Sequence, residues 1–350
     1  KWGAQFQRDL FTDVLSEWRM IDSAGYSLPQ TNTQEVSLYE TIKGNLSLVN
    51  YKVSGFAQWN QIWIKTKKNY EVKIHKKYKV GDVKSVQEYS KVMTESSRKV
   101  ALALGLRGGY SAVNNEPYFT PRFSLTYSPR AYMVQNNRIV RRNLNYRLAS
   151  GLYYQPPFYR EFRTFDGKLN TNVRAQKSFH LVAGTDLLFE MWGRNKPFKF
   201  TGELYYKYLW DVNPYEIENV RTRYYADNNA VAYAYGLDMN VHGEFVKGIE
   251  SFFKVGLMRT REDILNDHYT EFFNAAGERI IFGYSEDQVV VDSNVVYPGY
   301  IPRPTDQLLT IGALVQDQMP GFEQFSVQMG LQFGSRLPYG PPDFTRYKDT

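Results

Sequence analysis

From Val100 to Tyr127 the chain writes two long strands whose faces have opposite chemistry, and no other feature narrows its fold as far. Val100, Leu102, Leu104, Leu106 and Tyr110 fall on one face, while Ala101, Ala103, Gly105, Arg107, Gly109 and Ser111 fall on the other. After an Asn114-Asn115-Glu116-Pro117 turn, Phe119, Pro121, Phe123, Leu125 and Tyr127 alternate with Thr120, Arg122, Ser124 and Thr126. Strands of about ten residues that set an aliphatic face against a small and polar one predict an antiparallel transmembrane β-barrel, with lipid outside and water or a plug inside. A soluble sandwich is the alternative, but its strands usually run only about five or six residues.

Composition agrees with a barrel. The 350 residues are 43% hydrophobic, the mean hydropathy is -0.50, and no run of about twenty apolar residues could form a transmembrane helix. A barrel hides its apolar belt in every second residue, so such an average does not exclude a membrane. The 28 Tyr and 22 Phe suit interfacial girdles, where amphipathic rings sit among headgroups. With no cysteine there are no disulfides and no thiolate metal sites. The opening Lys1-Trp2-Gly3-Ala4-Gln5-Phe6 reads as a strand rather than a signal peptide, so the N-terminus of a parent protein is expected to lie upstream.

The net charge of +7 is local. Residues 61–99 hold eleven Lys or Arg against four Asp or Glu, which leaves 32 of each sign elsewhere. Lysines interleaved with Trp63, Tyr70, Ile74 and Tyr78 could meet nucleic acid or an anionic surface. A solvated hairpin between two membrane strands is preferred, because charged hairpins resist edge aggregation and nothing there resembles a nucleic-acid-binding module. Residues 61–97 are therefore expected to be an inserted Lys-rich hairpin or periplasmic extension of a single partial barrel domain, 1–350.

The same alternation recurs in about eleven segments, from Trp2, Ala4 and Phe6 to Phe325, Val327, Met329, Leu331 and Phe333. Connections alternate in length. Short ones are expected over 128–142, 191–197, 244–248 and 316–323, and long ones over 10–44, 155–176, 210–230 and 261–306. Outer-membrane barrels have short periplasmic turns and long extracellular loops, which gives an orientation. An odd count cannot close a simple bacterial barrel, so either a strand escapes the pattern or the chain forms part of a larger one.

The run Gly151-Leu152-Tyr153-Tyr154-Gln155-Pro156-Pro157-Phe158-Tyr159-Arg160-Glu161-Phe162 resembles the strand and loop midway through TonB-dependent outer-membrane receptors of the Bacteroidetes type. Ser16-Glu17-Trp18, Asp22-Ser23-Ala24-Gly25-Tyr26, Pro121-Arg122-Phe123-Ser124-Leu125 and Pro197-Phe198-Lys199-Phe200-Thr201-Gly202-Glu203 continue the likeness in order. So do Asn219-Val220-Arg221, Tyr224-Tyr225-Ala226, Gly243-Glu244-Phe245-Val246-Lys247-Gly248, Leu337-Pro338-Tyr339-Gly340-Pro341-Pro342 and Arg346-Tyr347-Lys348-Asp349-Thr350. The resemblance implies a 22-stranded barrel in the outer membrane of a Gram-negative cell, of which this chain supplies about half the strands without plug or TonB-box. It also implies import of a scarce small-molecule, glycan or peptide ligand, energised through TonB and its inner-membrane complex. Two alternatives stay open: a scaffold barrel that binds surface lipoproteins or other outer-membrane subunits, and a passive porin.

Catalytic chemistry finds little support. His75, His180, His242 and His268 are scattered and form no metal motif, and no glycine-rich phosphate loop opens a helix. His242 with Asp238, Asn240 and Glu244 is the best polar cluster, and lumen-facing polar residues account for it. Glu262, Asp263, Asn266 and Asp267, or Asp227, Asn228 and Asn229, could offer oxygen ligands to calcium, but they match no calcium loop. No enzyme activity, metal or cofactor is expected. The ligand-binding expectation falls on Tyr154, Phe158, Tyr159, Arg160, Glu161 and Phe162, with Tyr224 and Tyr225 from the next long loop. Aromatics beside Arg stack on sugars, siderophore rings or peptide side chains, and loops carry function on rigid barrels; a packed loop shaping the rim is the competing account.

Overall fold

Eleven long strands alternate in direction, each hydrogen-bonded to the strand before it. The computed structural model describes residues 1–21, 37–80, 83–135, 138–192, 196–218, 221–246, 249–281, 285–319 and 322–338. The strands are β1 Trp2–Ile21, β2 Ser37–Val80, β3 Val83–Ser111, β4 Glu116–Ser128, β5 Asn145–Gln155, β6 Gln176–Phe189, β7 Phe198–Val212, β8 Ala230–Val246, β9 Ile249–Ile264, β10 Leu309–Met319 and β11 Phe322–Gly334. They correspond one for one to the alternating segments of the sequence. All neighbouring pairs are antiparallel, and Ile301–Pro302 adds a short bridge to β9. β1 and β11 are the two edges of the sheet, and no described residue of one pairs with the other.

Register turns the single-strand alternation into rows. Leu102, Leu125, Leu148, Ala183, Leu204, Leu237, Leu257 and Leu309 are successive cross-strand partners from β3 to β10. This aliphatic row is open to the surroundings, with Leu204 60% exposed. Aromatic residues flank it on both sides. Toward one end lie Phe179, Tyr208 and Tyr233, and toward the other Tyr127 pairs with Tyr146 while Ile311 pairs with Phe333. On β6 the band runs from Phe179 to Leu187, close to the roughly nine to eleven residues that a tilted strand needs to cross a bilayer.

The opposite face is small and polar. One row reads Gly105, Arg122, Gly151, His180, Lys207, Ala234 and Thr260, and another Thr126, Arg147, Gly184, Glu203, Asp238, Gly256 and Thr310. Arg147 pairs with Glu203 at 2.7 Å and with Asp186 at 3.3 Å, so polar side chains satisfy one another across strands.

The connections 112–115 and 156–175, with the described parts of 213–229 and 265–308, lie at one end of the sheet. The described parts of 129–144 and 190–197 lie at the other end. The structure refines three of the expected connections. Residues 10–44 are not a loop throughout: β1 continues to Ile21 and β2 starts at Ser37, paired to the last residue. Residues 61–80 and 83–97 continue β2 and β3 as a paired ribbon ending at Val80 opposite Val83. Residues 128–142 carry a small hairpin, Tyr132–Gln135 with Arg138–Arg141, rather than a simple turn.

Candidate functional site

Two of the long loops at one end, 156–175 and 213–229, pack together. Pro156 and Pro157 end β5, and Tyr159–Phe162 then form one 3-10 turn. The Glu161 carboxylate reaches back to accept from the Phe158 N–H at 2.9 Å and from Gln176 Nε2 at 3.2 Å, while its carbonyl accepts from Asn213 Nδ2 at 3.1 Å. This turn faces the strand Arg221–Tyr224 of the hairpin Tyr215–Glu218/Arg221–Tyr224. Arg223 donates to the Phe165 carbonyl at 3.1 Å and lies 5.0 Å from the Phe165 ring.

Beneath it sits a small apolar core of Leu48, Phe162, Val173 and Ala226, against which Phe11, Val113, Tyr159 and Leu169 pack. Asparagines stitch the backbone around this core. Asn170 Nδ2 donates to the Ala226 carbonyl at 2.9 Å, Asn228 Nδ2 to the Asp211 carbonyl at 2.7 Å, and the Asp227 N–H to Asn213 Oδ1 at 3.2 Å. The loop also reaches the extended β1–β2 ribbon, where Tyr159 stacks on Phe11 with ring centres 4.8 Å apart.

The structure divides the eight residues expected to bind a ligand. Phe162 and Glu161 are buried at 1% and 4% exposure and hold the loop together from inside. Tyr154 stacks on Tyr118 at 4.3 Å, Tyr159 is half-buried on Phe11, and Tyr224 packs near Tyr215 at 5.9 Å. Tyr225 sits edge-on to Phe165 at 4.9 Å and donates to Glu216 at 2.5 Å. Phe158 and Arg160 are the members that face outward.

Burial sets the electrostatics here. Desolvation, partly offset by the Phe158 N–H and Gln176, raises the Glu161 carboxyl above its ordinary value. Desolvation and then the nearby Asp9 carboxylate raise the Tyr159 phenol. Tyr224 is raised by desolvation and by Glu161.

Two of the polar groups weighed as calcium ligands have structural partners. Glu262 lies on β9 beside Arg303 at 3.1 Å, and Asn228 is used by Arg174 and Asp211. Among the described residues no three His, Asp or Glu side chains are grouped to hold a metal ion. Asp238, Asn240 and His242 lie on one face of β8, and Glu244 falls in the register shift after Gly243.

Two features on the polar face were not legible from single strands. A pocket of about 440 Å³ is lined by Tyr205, Asp238, Gly256, Met258, Gln307 and Thr310, among others. A stack of Arg122, Tyr153 and His180 faces the same side. Phe165 and Arg223 were also missed in the loop cluster, since only the fold brings 165 and 223 together. Residues 22–26, 219–220, 247–248 and 339–350, which carried parts of the sequence resemblance, lie outside the described residues.

No protein-family model and no curated protein matches this chain.

Proposed function

We propose that the chain is a wall of a TonB-dependent outer-membrane receptor, which takes a scarce ligand at the long-loop end and passes it along the polar face. The observation that carries this reading is the continuous, partly to well exposed aliphatic row from Leu102 to Leu309, flanked by aromatic residues and opposite a polar face. The loop asymmetry supports the same orientation. Further strands would pair with β1 and β11, since open backbone edges cost several kcal/mol per unpaired group in lipid. That closure, the 22-strand count, the plug and the coupling to an energising inner-membrane complex rest on the sequence resemblance. Phe158 and Arg160 are the first candidates for ligand contact.

The test is uptake and surface accessibility in the native membrane. An epitope inserted after Phe158 should be reached by antibody on intact cells, and growth on the scarce ligand should need both this protein and TonB. Growth that is independent of TonB would remove the import reading.

One observation favours a second reading, a scaffold barrel within an outer-membrane assembly. Leu10, Val14, Trp18 and Leu38 are exposed on the β1–β2 ribbon, which extends past the end of β3 at Ser111. An apolar stripe that outruns the bilayer suits a lipoprotein or another subunit. Co-purification of such a subunit, lost in Val14→Glu/Trp18→Glu, would favour it over import.

A further inference from the structure

A three-layer stack lies on the polar face of β4, β5 and β6. The Arg122 guanidinium carbon sits 4.4 Å from the centre of the Tyr153 ring, and that ring stacks on His180 at 4.2 Å. Gly151 makes the stack possible. It stands between Arg122 and His180 in the row, and a Cβ there would come within 3.1 Å of Arg122 Cγ and of the Pro121 carbonyl. Lys207 is the direct cross-strand partner of His180 on β7, and Ser178 Oγ meets His180 Nε2 at 2.9 Å.

Arg122, His180 and Lys207 thus lie along one row of the same wall, and among the described residues no salt bridge joins them to a carboxylate. β4 to β7 carry four acidic residues in all, Glu116, Asp186, Glu203 and Asp211. Each is committed elsewhere: Glu116 and Asp211 to Lys177 at 3.1 and 2.7 Å, Asp211 also to Arg174 at 2.8 Å, and Asp186 and Glu203 to Arg147. Two fixed cations, Arg122 and Lys207, on either side of His180 and with no carboxylate paired to them leave positive charge on this wall that an anion would neutralise.

We propose that Arg122, His180 and Lys207 form an oxyanion-binding subsite for a carboxylate or phosphate group on a solute moving along the polar face. Tyr153 holds the guanidinium flat, which leaves its N–H edge free for a two-point contact with an oxyanion, while Lys207 adds a mobile point charge. The proposal goes beyond the import reading, because the subsite would bind its anion in a passive or scaffold barrel as well.

The experiment uses the intact protein extracted from its membrane into detergent. Calorimetric titrations with pyrophosphate and with citrate, at low salt, distinguish a phosphate from a carboxylate preference. Saturable binding of at least one is expected, weakening as salt rises. Arg122→Gln/Lys207→Gln should weaken it by about tenfold or more, the scale of a lost charge-assisted contact. Arg122→Gln alone serves where the double variant fails to fold, as judged by its heat-modifiable gel mobility. Arg122→Lys should also weaken binding, since Lys cannot make the flat two-point contact. Lys254→Gln, on the same face but outside the stack, should leave binding unchanged. No saturable binding of either probe would overturn the proposal. So would equal binding by Arg122→Gln, or an equal loss with Lys254→Gln, which would point to diffuse charge.

Discussion

The Arg163 guanidinium lies 2.7 Å from the Asp13 carboxylate, although 150 residues separate them in the chain. Arg163 ends the 3-10 turn after β5, and Asp13 sits on β1, so the contact spans the sheet across β2, β3 and β4. It is one of several ties that hold the 156–175 loop against the β1–β2 ribbon. The loop therefore closes over the polar face at this end rather than standing free.

Asp13→Asn should loosen that loop without unfolding the sheet. Both side chains are about a quarter exposed, so the pair contributes at most about 1 kcal/mol. Hydrogen exchange should rise across 156–175 and stay unchanged in β5 to β9. A uniform rise in exchange would show that the contact supports the whole sheet.

Phe162→Ala should have a larger and still local effect. Phe162 is 1% exposed at the centre of the loop core, and removing a buried phenyl ring costs about 3–5 kcal/mol. Protease cleavage within 158–175 and within 213–229 should appear together, because both loops share that core. Cleavage confined to one loop would contradict a shared core.

Glu161 gives the loop cluster a pH dependence of defined sign. Its carboxyl is raised in the folded state, so the folded loop binds the proton more tightly than the unfolded one. Stability is then greatest below the ordinary carboxyl range and falls as pH rises from that range through the raised value. Glu161→Gln keeps an acceptor for the Phe158 N–H and should flatten this profile. Glu161→Ala should destabilise at every pH. Exchange protection of 158–175 measured between acidic and neutral pH checks both, and a wild-type profile that rises with pH would refute the account.

Leu204→Arg tests what the exposed row faces. An arginine near the middle of a bilayer costs about 2–4 kcal/mol, whereas on a water-exposed face it costs little. Folding of the variant into vesicles should be weakened on that scale relative to the parent, and Glu203→Gln on the other face should show no such depth effect. Unchanged vesicle folding of Leu204→Arg would argue against a lipid-facing row.

Strand existence was legible because one face of each strand is open and apolar. Phe198 to Tyr208, for instance, alternates cleanly and forms the body of β7. The ends of β1 and β2 were not legible, and the reason is physical. Phe11 and Leu15 put apolar residues on the polar face as well, because Tyr159 and the backbone near Gly167 cover them there. Two apolar faces blur the period of two. In the loop, Phe158 to Phe162 announced itself by composition, but nothing in the order of those residues says that Glu161 and Phe162 turn inward. The Arg122, Tyr153 and His180 stack needs the pairing register, which alternation within single strands does not fix.

The measurement that bears most directly on the account is lipid accessibility of the two faces. The chain has no cysteine, so single cysteines at Leu148 and Leu204, and at Ser124 and Ser178, can carry a fluorescent label in the protein within its own membrane. The account predicts that labels at 148 and 204 are quenched by spin-labelled lipid and resist a water-soluble quencher, with the reverse at 124 and 178. Equal quenching of all four labels by the water-soluble quencher would contradict a membrane-spanning wall.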